Sequence, residues 1–407
     1  MNTPAIDAGR NDGLDALRGL FLVLMTLTHL PTGLSSELGQ PFGQLSAAEG
    51  FVMLSAFLAG QVYLRRGMRQ GFGAMRKALW SRAATVYRHH LALFGFGITM
   101  VLLIGIVNEQ AAITNLFTQY MASPIRTAVA GLLLIYQPAL FDILPMYVMF
   151  LLLTPWVLEH ARRHGWSVPL VLSVALWTAA MLGLRTSFHQ GLMAITGLSL
   201  PMAATGSFNP FAWQLIWVIG LWLGTARLQG VESPLRASPR VLVLLAVLVA
   251  TFLVWRHTGG QTPFGVDASG APVAANQLID KWDLGPLRLI NVFAWAVLIA
   301  AAGPAIVRRV PLGFLARLGR SSLPVFSAHL VCCLLALAVF GEPGAAGSSL
   351  VDVALILGSL LVMQATAIIH QSSKYATARP LPRAPRDLAD AMAIPRSRMT
   401  PMPIRSE

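Results

Sequence analysis

Charge and cysteine are both scarce in this sequence. Only 12% of its 407 residues are charged against 55% hydrophobic, and mean hydropathy is +0.64, which excludes a soluble globular protein of ordinary composition. Acidic residues are the rarer sign, 17 against 30 basic, for a net charge of +13. The two cysteines, Cys332 and Cys333, are neighbours in an apolar run. That arrangement does not suit a structural disulfide, has no metal-ligand spacing, and reads as core filler. Also missing are a Walker A loop, a Rossmann glycine fingerprint, HExxH, Cys-x-x-Cys and a nucleophile-elbow serine. No small-residue cleavage site follows the first apolar run, so that run is expected to stay in the protein.

What the sequence does have is long apolar runs. They occur near 14–31, 47–65, 91–108, 143–160, 168–184, 209–227, 239–256, 288–307, 322–340 and 350–370, each long enough to cross a hydrocarbon core of roughly 30 Å. The expected fold is therefore an all-α polytopic membrane protein with about ten transmembrane helices. A shorter run, 128–141, contains Pro138 and reads as a re-entrant or interfacial segment.

The basic residues cluster between the runs and form no single stripe, which argues for topology and against nucleic acid. Arg65, Arg66, Arg69, Arg76, Lys77, Arg82 and Arg88 follow the second run; Arg162 and Arg163 follow the fourth. Arg227, Arg236 and Arg240 lie between the sixth and seventh, and Arg308, Arg309, Arg317 and Arg320 precede the ninth. By the positive-inside rule all are cytoplasmic, and so are both termini. Residues 11–370 read as one membrane domain and 371–407 as a basic, Pro-rich, disordered tail. Two loops, 185–208 and 257–286, fall on the exported side. The second carries Asp267, Asp280 and Asp283.

Ionisable residues inside apolar runs are functional by default, and the first run holds Arg18 and His29. Eleven positions apart, they share one helix face and lie about 16 Å apart along the axis. Asp12 and Asp15 precede Arg18 at three-residue steps and can pair with it. An alternative reading is a capped helix start with a snorkelling arginine. Glu49, near the start of the second run, is expected at the depth of His29 in an antiparallel hairpin, where a carboxylate fixes an imidazole's tautomer and raises its basicity. The alternative places Glu49 at the interface only.

Further candidates are more weakly marked. Ser55 to Gly60 is a stretch of small residues suited to close helix packing or to a thin pantetheine-like chain. Arg82 and Arg88, with Tyr87, suit a polyphosphate cofactor or ordinary topological anchoring. Asp142, beside the re-entrant segment, is placed to orient an acceptor hydroxyl. Asn209, Trp213 and Gln214 suit a sugar ring, or, with Trp217, an aromatic belt. His329 reads as structural.

Through Arg18 and His29, with ten residues between, the chain resembles the acyltransferase-3 superfamily of membrane O-acyltransferases. More narrowly it is similar to the OpgC branch, succinyltransferases of osmoregulated periplasmic glucans. That likeness rests on the context of Asp12 to Gly19, on Ala48-Glu49-Gly50-Phe51-Val52 with Ser55 and Gly60, on Asp142-Ile143-Leu144-Pro145-Met146-Tyr147 and on Asn209-Pro210-Phe211-Ala212-Trp213-Gln214. The sequence departs from the branch at Ala56, where a glycine usually follows the serine; this bears on donor shape more than on reaction type. The resemblance implies an acyl-CoA donor, expected to be succinyl-CoA, bound from the cytoplasm and a periplasmic glucan as acceptor.

The expected roles are His29 as general base, Glu49 orienting it and Arg18 steadying the donor or its oxyanion, with an acyl-imidazole on His29 as a variant. Ser55, Arg82, Tyr87 and Arg88 are assigned to the donor, and Asp142, Asn209, Trp213 and Gln214 to the acceptor. No metal, no tightly bound cofactor and no nucleic acid is expected. The partners are acyl-CoA, the glucan and the bilayer, and the location is the bacterial inner membrane. The rival is a proton-coupled transporter or exporter of a saccharide or lipid-linked saccharide.

Overall fold

The computed structural model describes residues 11–231, 235–259, 264–266, 273–342 and 349–377. Asp267 and residues 378–407, most of the expected tail, lie outside them. Every long element is a helix, in chain order α1 (Asp12–His29), α2 (Ser35–Leu38), α3 (Ala47–Gln70), α4 (Phe72–Phe96), α5 (Leu102–Val107), α6 (Ala111–Leu116), α7 (Thr118–Ala122), α8 (Pro124–Leu132) and α9 (Ile143–His164). There follow α10 (Ser167–Met181), α11 (Leu184–Thr196), α12 (Pro210–Thr225), α13 (Pro239–Gly259), α14 (Pro286–Arg309), α15 (Gly313–Arg320), α16 (Ser322–Phe340) and α17 (Ser349–Thr377).

The fold is an all-α polytopic membrane fold, as expected. Each of the ten apolar runs falls on a helix, but among the described residues seven helices are long and apolar enough to cross a membrane unaided. The other three runs lie on α1, whose 18 residues include Asp12, Asp15 and Arg18, on the 16-residue α12, and on α10, which bends by 78° into α11 at Gly183. The basic stretch between the second and third runs is helical on both sides of Gly71. After a break at Gly71, whose φ of 86° favours glycine, α4, a π-helical turn over Gly97–Val101 and α5 form one 36-residue helix. The run 128–141 is not a span: α8 ends at Leu132 and the backbone is irregular up to α9. At the C-terminal end, α17 runs past residue 370 to Thr377.

Caps fix where the central helices begin. Asn11 Oδ1 accepts from the amides of Gly13 and Leu14 at 3.0 and 3.3 Å, with Asp12 and Asp15 in the first turn of α1, where carboxylates complement the helix dipole. Ser46 and Glu49 form a capping box at the start of α3. Asn209 caps α12, with Pro210 in its first turn.

Small residues let these helices approach backbone to backbone. A side chain at Gly220 or Gly224 of α12 would collide with the Met53 or Phe57 carbonyl of α3, and one at Gly60 of α3 with the Leu221 carbonyl. Gly220 and Gly224 are a small-xxx-small pair, and Ala56 packs against Gly220. Gly19 of α1 and Gly319 of α15 meet in the same way. The core so formed joins α1, α3, α4, α9, α12 and α16. By contrast, α13, α14 and α17 leave most of their apolar surface uncovered by protein, as lipid-facing helices do.

Candidate active site

Near the middle of α1, a cavity of about 190 Å³ opens between α1, α3, α4, α9, α12 and α16. Arg18, Ser55 and Arg82, three of the expected site residues, line it together with Tyr63, Tyr147 and Ser322. The sequence marks Tyr147 only as the end of the motif that begins at Asp142, and does not single out Tyr63 or Ser322. The guanidinium of Arg18 lies over the Phe51 ring at 5.8 Å, and Tyr147 donates to the Phe51 carbonyl at 3.2 Å. Phe51 stacks on Phe326 at 6.3 Å, and both rings line the cavity.

Two residues expected at the donor site stand apart from this cavity. Tyr87 donates to the Leu132 carbonyl at 2.8 Å, and Arg88 is exposed beside Thr85. Asp12 and Asp15, expected to pair with Arg18, pair with Arg320 of α15, at 2.5 Å from Asp12 and 3.8 Å from Asp15.

His29 is on the same helix as Arg18 but does not line the cavity. Its ring stacks on His329 of α16 at 6.0 Å and 20°. His329, fully buried, packs edge-on against Phe326 at 4.8 Å. His329 is therefore the immediate neighbour of the expected catalytic imidazole and also reaches the cavity wall. His29 Nδ1 is buried with no hydrogen-bond partner among the described residues, which is uncommon for a buried polar atom.

Glu49 does not make the expected contact with His29. Its carboxylate accepts from the Ser46 amide at 3.1 Å and from the Ser46 hydroxyl, and it pairs with Arg288 of α14 at 2.6 Å. Both side chains of this ion pair are essentially inaccessible, at 0% and 2%. Capping and the ion pair saturate the carboxylate, so it serves to join α3 to α14. Arg288 also donates to the Ile279 carbonyl at 3.0 Å. The sequence does carry a signal for Arg288, an arginine at the start of an apolar run.

The residues expected at the acceptor site form a clamp instead. Asn209 caps α12 and donates to Asp283 at 2.8 Å. Trp213 is fully buried, donates to the Trp282 carbonyl at 3.0 Å and packs edge-on against Phe208 at 4.6 Å; it has no free face for a sugar. Gln214 exchanges hydrogen bonds with Ser173 of α10. Asp142 accepts from the Ser207 amide at 2.9 Å. Burial pushes the Asp142 carboxyl above the usual carboxylate range, with the Ser207 hydrogen bond opposing.

The turn these residues hold presents Lys281, which sequence reasoning also misses. Its ammonium lies 4.7 Å over the Trp282 ring and within electrostatic reach of His29, Glu49, Arg288 and Asp142. Burial lowers its pKa, while the two carboxylates act in the opposite sense.

Fold and site together define a polytopic α-helical membrane protein with an internal site. A cation-lined cavity lies on one stretch of a central helix, and an imidazole pair lies at that helix's end. The chain belongs to the OpgC family, whose model, described as OpgC protein, matches residues 10–375. Family membership implies an acyltransferase. No curated protein and no solved structure matches the chain.

Proposed function

We propose that the protein transfers an acyl group, specifically succinyl, from its coenzyme A thioester to a hydroxyl of a periplasmic glucan, across the bacterial inner membrane. The observation that carries this reading is the division of α1. Arg18, with Arg82 from α4, lines a cavity about three turns from His29, so a donor with phosphates and a long arm is held at one place and reacts at another. The placement of both termini in the cytoplasm is part of the proposal and rests on the clustering of basic residues.

In this mechanism Arg18 and Arg82 bind the anionic donor from the cytoplasmic side, where guanidinium forks suit phosphate. His29 takes the proton of the acceptor hydroxyl as its oxygen attacks the thioester carbonyl. The carbon–sulfur bond then breaks, the proton passes to the departing thiolate, and the ester and free coenzyme A leave on opposite sides. In place of Glu49, His329 is the group that steadies the His29 ring, by stacking on it.

The test is purified full-length protein given radiolabelled succinyl-CoA and periplasmic glucan. Label appearing on the glucan, with release of coenzyme A, supports the reading. Neither transfer nor donor hydrolysis, together with proton-coupled uptake of saccharide into vesicles containing the protein, establishes a carrier instead.

A further inference from the structure

We infer that Lys281 is the residue that selects a dicarboxylic acyl group, by receiving the far carboxylate of the acyl chain when its thioester carbonyl is at His29. This rests on the acyl-transfer reading above and deepens it by naming a specificity determinant.

Three observations lead there. The first is placement. The end of α1 and the start of α3 are tied to α14: Arg288 holds Glu49, and both Asn291 and Trp295 donate to the Phe42 carbonyl at 3.0 Å. His29, Glu49 and the 280–285 turn therefore occupy one end of the bundle, and Lys281 acts electrostatically on His29.

The second is rigidity. The Trp282 carbonyl accepts from Asn209 N–H at 3.1 Å and from Trp213 Nε1 at 3.0 Å, and the Leu284 carbonyl accepts from Trp177 Nε1 at 3.0 Å. Asp283 binds Asn209, and its own amide donates to Asp280 at 2.7 Å. A turn held from α10, α12 and within itself offers its lysine in one position, which limits the entropy lost on binding.

The third is charge. Lys281 is half-buried, yet among the described residues it forms no ion pair. Glu49, the neighbouring carboxylate, is already committed to Arg288 and Ser46. Asp142 accepts from the Ser207 amide and forms no ion pair with Lys281. A partly desolvated ammonium without a carboxylate of its own favours an incoming anion. An acyl chain led through the bundle ahead of its thioester brings its far end past His29 first. For succinyl that end is a carboxylate.

The experiment compares succinyl-CoA with butyryl-CoA, which has the same number of acyl carbons and no carboxylate, as donors to the same glucan. The enzymes are full-length wild type, K281M and K281R, with the ratio of kcat/KM for the two donors as the readout. Wild type should prefer succinyl-CoA. K281M should lower the ratio by about tenfold or more, the loss of one charge-assisted contact, while keeping butyryl transfer, which also serves as its folding control. K281R, which keeps the charge, should retain most of the preference. If succinyl and butyryl transfer fall together in K281M, or the preference survives, Lys281 does not read the carboxylate and the assignment is overturned while acyl transfer stands. A wild type that uses neither donor overturns the acyl-transfer reading and this one with it.

Discussion

The two stretches of α1 differ in how their polar groups are satisfied. Around Arg18 the helix borders an open cavity lined by cations, hydroxyls and aromatic rings. Toward the His29 end several polar side chains are already engaged: Glu49 with Arg288 and Ser46, Asn209 with Asp283, Trp213 with Trp282 and Gln214 with Ser173. Saturated groups hold a structure together and have little left to give a ligand. Two groups at this end are not so engaged and carry a charge or a titratable nitrogen suited to the reaction: His29, whose Nδ1 has no hydrogen-bond partner among the described residues, and Lys281, which has no ion pair among them. Chemistry therefore falls to the imidazole and the lysine, and framework to the groups around them.

Removing the imidazole should cost the most. His29→Gln should lower turnover on the order of a hundredfold or more, as for loss of a general base, at normal abundance and with an unchanged elution profile. Wild-type turnover in this variant would end the division proposed for α1.

Next is the framework. Arg288→Met leaves the Glu49 carboxylate buried without its cation and should destabilise the protein by about 3–5 kcal/mol, measured as a lower melting temperature in detergent. Adding Glu49→Gln should recover much of the loss, because the stranded charge is gone. Independent, additive losses would mean that the pair is not coupled.

A lesser change is expected at the cavity. Arg18→Ala should weaken acyl-CoA binding, measured without glucan, by about tenfold, in line with one charge-assisted hydrogen bond. Arg18→Lys should do less harm, because only the planar fork is lost. Equal binding by all three proteins would separate the cavity from the donor.

The mildest change sharpens the other end. Lys281 is within electrostatic reach of Glu49, Asp142, Arg288 and His29, and burial holds its pKa below that of an exposed lysine. Its charge is therefore full at low pH and lost as pH rises through that depressed pKa. The succinyl-to-butyryl preference should decline on the alkaline side, beginning below the ordinary lysine value of about 10.4. A preference that stays flat up to that value would contradict the assignment.

Several of these features are legible in the sequence alone. Arg18 and His29 stand out because charge inside an apolar run is costly, and one helix is enough to fix their spacing. The stretch Ser55 to Gly60 has the small residues of a packing surface, and the helix carrying it meets Gly220 and Gly224 of α12. Glu49 is deceptive: its place beside the first turn suggests a partner for His29, although Ser46-Ala47-Ala48-Glu49 has the spacing of a capping box. Its other partner, Arg288, is 239 residues away, beyond any local pattern. Trp213 and Gln214 have the composition of a sugar site, but composition does not reveal whether a ring face is open or buried.

The class of fold follows from the chain's apolar runs, because a hydrocarbon core admits few alternatives to apolar helices. The pair on α1 follows from them too, because helical periodicity is a property of the local chain. Which groups remain available is settled by the packing of one helix on another. Arg82 joins Arg18 at a cavity while Arg88 does not, Glu49 is taken by Arg288, and Asn209 and Trp213 hold the turn of Lys281. Those outcomes depend on contacts between helices far apart in the chain, where satisfying one polar group removes it from every other use.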